Sequence, residues 1–183
     1  MVGSELEKLL YTRPVPDTPK QQLAALLRWA KGSKDTVARE LGVSRRMVQR
    51  WTARKGSARA KPSVRHAALI ETQVRERWQP LVRARRRAAA EQQGLVVHTR
   101  ARFGFEAGPG SSDDPRQRLL TVPVPGEVAR ELFSAWEAGA PDSQHKVILG
   151  RALGHVYFRA AGRRADTLQV KLGEVDFIEF GLA

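Results

Sequence analysis

Between Asp35 and Trp51 the order of residues admits very few folds. Ala38 is small where one helix must cross the next closely. Gly42 stands where a tight turn needs a positive φ, which glycine adopts at little cost. Val43 supplies an apolar plug, and the Ser44 hydroxyl can cap the following helix. Val37, Leu41, Met47, Val48 and Trp51 then fall on a common apolar side, leaving Arg45, Arg46, Gln49 and Arg50 on the other. The pattern predicts a helix-turn-helix over 35–52, with helices over Thr36–Leu41 and Ser44–Thr52. Arginine reads guanine bidentately and glutamine reads adenine, so the polar side suits the major groove of duplex DNA. Lys34, Arg54 and Lys55, with Lys31 and Arg59, would hold phosphates around its rim. The plain alternative, a helical hairpin that never meets DNA, gives this cluster of cations no partner.

Charge singles out the same end of the chain. The 183 residues carry 32 Lys and Arg against 19 Asp and Glu, a net +13. Residues 1–93 hold 21 basic and 8 acidic side chains, and residues 94–183 hold 11 of each, so the excess lies in the first half. One-sided positive charge points to a polyanion, most commonly DNA. The absence of cysteine excludes disulfides, thiolate zinc sites and a cysteine nucleophile. His66, His98, His145 and His155 are scattered without ligand spacing, so no intrinsic metal or cofactor is expected. No run approaches roughly 18 uncharged apolar residues. The N-terminus, with Glu5 and Glu7, lacks a signal-peptide pattern. The expected setting is the cytoplasm, at the nucleoid, with no membrane partner.

Two modules are expected. The first, 1–93, reads all-helical and DNA-binding. Pro19 to Ala30 places Leu23, Leu26, Leu27 and Ala30 at helical spacing behind Asp17 or Thr18 as cap. A long basic helix is predicted over 62–92, kinked or divided at Pro80 and ended by Gly94. On it Arg83, Arg86 and Arg87 share a face and would track phosphates. Trp78, Leu81 and Val82 are expected to pack against the second module. That module, 94–183, opens with a strand from Leu95 to Phe105, where Leu95, Val97, Thr99, Ala101, Phe103 and Phe105 alternate with polar residues. A polar loop from Gly108 to Pro115 leads to a second strand, Arg118 to Val124. Helices over Pro125–Ala138 and Asp142–Ala160 and two short strands, Leu168–Leu172 and Val175–Phe180, complete a β-β-α-α-β-β order. The fold class is therefore α+β: a helical module followed by a small domain with one helical layer on one sheet.

Several segments together carry a family resemblance. They are Thr12-Arg13-Pro14-Val15-Pro16, Arg77-Trp78-Gln79-Pro80, Thr99-Arg100-Ala101-Arg102-Phe103-Gly104-Phe105, Pro109-Gly110-Ser111-Ser112-Asp113-Asp114, Val156-Tyr157-Phe158 and Asp176-Phe177-Ile178-Glu179-Phe180-Gly181. With them the chain resembles, over nearly its whole length, the telomere terminal proteins of actinobacterial linear chromosomes and plasmids. The resemblance implies covalent attachment to 5′ DNA ends, with a side-chain hydroxyl replacing a primer's 3′-OH. It also implies three partners: telomeric DNA (duplex and 3′ overhang), a telomere-associated protein and a DNA polymerase. Nucleotidyl transfer would be driven by the polymerase's Mg ions, so the chain is an acceptor and not an enzyme. The family pattern places the linked residue, a threonine, in the polar loop before the second strand. Here that loop offers Ser112 and Ser111, in that order of preference. Thr121 is a weaker candidate because it falls on a strand.

Two other classes compete. The helix-turn-helix alone fits a transcriptional or plasmid regulator with the second module as dimeriser. A nuclease or recombinase is disfavoured: the carboxylates form no metal constellation, and Tyr11 and Tyr157 lack a recombinase setting.

Overall fold

The computed structural model describes residues 2–53, 60–106, 116–158 and 169–183. Among them run α1 (Val2–Leu9), α2 (Pro19–Trp29), α3 (Lys34–Glu40), α4 (Arg45–Trp51), α5 (Val64–Arg77), α6 (Pro80–Gln93), β1 (Leu95–Glu106), β2 (Arg116–Val124), α7 (Gly126–Glu137), α8 (Asp142–Leu153), a π-helical turn (Gly154–Phe158) and β3 (Gln169–Leu182). The protein is thus mixed α and β, with one antiparallel sheet ordered β2-β1-β3.

The chain forms two compact units, Arg13–Pro80 and Met1–Thr12 with Leu81–Ala183. This differs from the expected division at 93/94. The expected basic helix is divided at Pro80, and its halves, α5 and α6, fall in different units. Trp78 leaves the helix with ψ 116° and Gln79 takes φ 48°. The ring of Pro80 excludes helical backbone from the residue before it, and Pro80 then serves as the first residue of α6.

Unit Arg13–Pro80 is all-helical. Thr18 and Gln21 form a reciprocal capping box at the start of α2, with Pro19 as its first helical residue. Ser33 caps α3, Ser44 caps α4 and Ser63 caps α5, each accepting a hydrogen bond from the backbone N–H three residues on. Leu23, Leu26, Val37, Leu41, Val48, Trp51, Ile70 and Val74 make the core. Trp78 packs against this core, 6.2 Å from the Trp29 ring, with its indole N–H donating to the Arg13 carbonyl at 3.1 Å. The expectation that Trp78 belongs to the second module is therefore corrected. Leu81, expected to pack there too, is 75 % exposed.

In the other unit β1 is the central strand. Leu95, Val97, Thr99, Ala101 and Phe103 are fully buried, as the alternation predicts. The Thr99 hydroxyl donates to the Phe177 carbonyl at 2.8 Å, which satisfies its buried oxygen. Beneath this face lie α7 with Ala129, Leu132 and Phe133, and α8 with Ile148, Leu149, Ala152 and Leu153. Val128 and Trp136 are only partly buried against it. α1, which the sequence reading left unassigned, buries Val2, Leu6 and Leu9 in the same core, and α6 adds Ala90.

The expected closing pair of strands is a single strand, β3. Gly173 does not turn the chain. Instead the register with β1 shifts between Arg100 and Ala101 and again between Ala101 and Phe103, so bulging absorbs the irregularity. Among the described residues from 95 on, the order is β-β-α-α-β, not β-β-α-α-β-β. The helix expected over Asp142–Ala160 is α-helical only to Leu153 and then widens into the π-helical turn.

Gly94 shows how tightly α6 is joined to β1. It has φ +98°, and a Cβ there would collide with the Val124 carbonyl. Gly94→Ala meets both obstacles and is expected to lower stability by about 2 kcal/mol, read from denaturant unfolding. A loss under about 0.5 kcal/mol would mean the backbone can relax.

α1 is pinned to the start of α8, where the Val2 N–H donates to Asp142 Oδ1 at 2.7 Å. Burial works to raise the Asp142 carboxyl, but the Val2 N–H and nearby positive charge prevail and hold it below the ordinary carboxylate range. A depressed carboxylate contributes stability above its unfolded value, near 3.9, that is lost as pH falls through the folded value. Acid titration followed by hydrogen exchange is therefore expected to weaken the protection of α1 below about pH 4, and Asp142→Ala to weaken it at neutral pH, while Val2, Leu6 and Leu9 keep the helix in the core.

Candidate nucleic-acid interface

Unit Arg13–Pro80 holds 16 Lys and Arg and 5 Asp and Glu, a net +11 of the chain's +13. The excess is more concentrated than the division at residue 93 suggested, because Arg83, Arg85, Arg86 and Arg87 belong to the other unit.

Within it α3 and α4 are joined by a short turn. The turn is closed by backbone bonds from Gly42 N–H to the Arg39 carbonyl at 3.2 Å and from Val43 N–H to the Ala38 carbonyl at 2.9 Å. Gly42 has φ +62°, with open space where a Cβ would stand. The turn thus needs glycine for its backbone angle and not for room. Ser44 Oγ accepts from Met47 N–H at 3.3 Å and fixes where α4 begins. Val48 at 0 % and Trp51 at 5 % exposure anchor its inner side in the core.

That anchoring decides the outer side. Arg45, Arg46, Gln49 and Arg50 are all exposed on one short helix, as the spacing predicts. Arg45 stands 3.5 Å from Asp35, an ion pair the sequence reading missed. Both side chains are more than half exposed, so a phosphate or base can replace Asp35 at little cost. Lys34 is half-buried in the first turn of α3, and Lys31 is exposed. Arg54, Lys55 and Arg59 lie outside the described residues, as do Ser111 and Ser112.

The arginines of α6 do share a face, but the fold uses it. Arg86 Nε donates to the Leu9 carbonyl, and the Arg83 guanidinium lies 5.6 Å from the Tyr11 ring centre. Arg87 donates to Glu137 and to Glu91 and covers the Phe133 ring at 5.4 Å. Its hydrogen bonds, to Glu137 first and Glu91 second, raise its pKa above the ordinary value against the opposing effect of burial. These three side chains tie α1, α6 and α7 together. Residue spacing revealed their common face but not its neighbours, which come from far along the chain.

Among the described residues no group of three His, Asp or Glu side chains is placed to hold a metal ion. None of their helices is long and apolar enough to cross a membrane. No family model, curated protein or solved structure matches this chain.

Proposed function

We propose that this chain docks on duplex DNA through a helix-turn-helix formed by α3 and α4. We further propose that it serves as a telomere terminal protein, accepting the first nucleotide on a side-chain hydroxyl and staying attached to the 5′ end. One observation carries the DNA-binding half: Arg45, Arg46, Gln49 and Arg50 are exposed together on a helix whose start and inner face are locked. Bidentate donors on such a helix suit guanine and adenine edges in a major groove, and neighbouring cations suit phosphates. The terminal-protein half rests on the resemblance of segments along nearly the whole chain.

On this reading the helical unit selects the DNA and the other unit presents the hydroxyl to a polymerase, whose Mg ions activate the α-phosphate. The α6 arginines, engaged within their own unit, are left out of the DNA footprint. A second reading, a regulator that binds an operator, is favoured by the completeness of the α3–α4 pair within Arg13–Pro80.

The test is to isolate DNA ends from the source cells without protease, digest them with nuclease and examine the released protein by mass spectrometry. A peptide of this chain bearing a nucleotide through a phosphoester is the expected result. Its absence, with the chain found instead on internal duplex sites, would leave the regulator.

A further inference from the structure

Within the sheet-containing unit, α8, the π-helical turn and the start of β3 wall an open groove that ends against the start of α7. It encloses about 1010 Å³, the upper limit of ordinary small-molecule sites. Its floor is apolar, made by Val128, Ala152, Val156, Val170 and Leu172. Val147 stands on its rim, 70 % exposed, and continues that floor outward. The walls are fixed because α8 sits tightly on β3. A Cβ on Gly150 would come within 2.8 Å of the Val170 carbonyl oxygen, and one on Gly154 within 3.0 Å of the Val170 side chain.

The charge along the groove has one sign. Lys146, Arg151 and Lys171 line it, and its described lining residues include no Asp or Glu. The unit as a whole does not share this bias. Arg13–Pro80 holds +11 of the chain's +13, which leaves this unit only +2. Asp142, near Lys146, accepts from the Val2 N–H at 2.7 Å, and Glu174, beyond Lys171, lies 3.9 Å from Arg102. Glu131 pairs with Arg151, but both side chains are well exposed, so an incoming carboxylate can replace Glu131 at little cost. Residues 159–168, which join the π-helical turn to β3, hold three Arg and one Asp and bring no negative excess.

We propose that this groove receives an acidic amphipathic helix of a partner protein. Ser143, Val147 and Arg151 line it at four-residue spacing along α8, and the row continues to His155. Such a row is the ridge against which a second helix packs. Apolar side chains three and four residues apart on the partner fill the floor over Val147, Val156 and Val170. Carboxylates flanking them meet Lys146, Arg151 and Lys171. An acyl chain with one anionic head suits the groove less. Lys146 and Arg151 stand about 7.5 Å apart along the helix axis, and Lys171 is on β3, so the positive charge is spread along the groove and not gathered at one end. The proposal is independent of what the α3–α4 pair binds and holds for a terminal protein or a regulator.

The experiment puts the photoreactive residue benzoylphenylalanine in place of Val147 in the full chain, irradiates the source cells and sequences the crosslinked peptide by mass spectrometry. A partner peptide with several Asp or Glu flanking apolar residues at helical spacing is expected. That peptide, synthesised with a fluorescent label, should bind the full chain, more weakly as salt rises. Lys146→Glu with Lys171→Glu should weaken it roughly 10-fold or more. Neither lysine is fully buried, so this variant should fold, which circular dichroism checks. A crosslink to residues 159–168 or to a second copy of this chain overturns the proposal. So does a partner peptide without acidic residues, or no crosslink at all. Undiminished binding by the charge-reversed variant overturns it too. None of these outcomes bears on the DNA-binding reading.

Discussion

On the proposed reading of α4 as a DNA-docking helix, Arg45, Arg46 and Arg50 exchanged together for alanine are expected to lower duplex affinity by about 3–6 kcal/mol, roughly two to four orders of magnitude. Each base-reading arginine is worth about 1–3 kcal/mol, and neighbouring losses are not fully additive. The fold should not suffer. All three side chains are exposed, and the one ion pair they make among the described residues, Arg45 with Asp35, joins two exposed groups. Thermal unfolding of the variant should therefore match the parent, while a mobility-shift or fluorescence titration shows the loss. The salt dependence separates the roles. Every phosphate contact removed should flatten the slope of log K against log salt by about 0.9, whereas a base contact should leave it nearly unchanged. Gln49→Ala, which removes no charge, should change which sequences are preferred more than it changes the slope. Unaltered duplex affinity in the triple variant would overturn the proposal that α4 docks on DNA.

Phe133→Ala is expected to remove about 3–5 kcal/mol of stability, the usual cost of truncating a fully enclosed aromatic. Phe133 is completely buried on α7 within the core of the sheet-containing unit. Arg87 closes over its ring and is itself held by Glu91 and Glu137, so the cavity cannot collapse without disturbing that arrangement. A fall in Tm of roughly 10–25 °C follows for a unit of this size, measurable by calorimetry. Under about 1 kcal/mol would show that neighbouring side chains fill the space. Phe133→Leu leaves a smaller void and should cost less than the alanine variant.

What proved legible from sequence was whatever depends on neighbours a few residues apart. Thr18, Ser44 and Ser63 announce helix starts because a hydroxyl reaches an N–H three residues on. Gly42 announces the turn because φ is a property of one residue. The period-two alternation from Leu95 to Phe103 announces a strand with one buried face, since successive Cβ atoms point to opposite sides. The exposed set on α4 follows instead from the helical period of about 3.6 residues. Pro80 was readable as a break for the same local reason.

Legibility ended where the outcome depends on residues far apart in the chain. α1 joins a core built from residues beyond 80 because Val2, Leu6 and Leu9 fit there, and nothing between Val2 and Leu9 names that partner. The pattern suggested two strands, Leu168–Leu172 and Val175–Phe180, yet pairing along β1 holds Gln169–Leu182 in one continuous strand. Arg83, Arg86 and Arg87 looked like a face for phosphates, yet Tyr11, Leu9 and Glu137 meet them. Thr121 meets His98 across β1 and β2, 23 residues apart in the chain, a contact that no local pattern shows. The sequence by itself therefore determined the helix caps, the α3–α4 turn, the cation-bearing face and the buried side of β1, because each depends on local backbone and side-chain geometry. Only the tertiary structure decided which unit owns α1 and α6, how many strands close the sheet and which hydroxyl meets an imidazole, because register and packing are selected by contacts between distant segments.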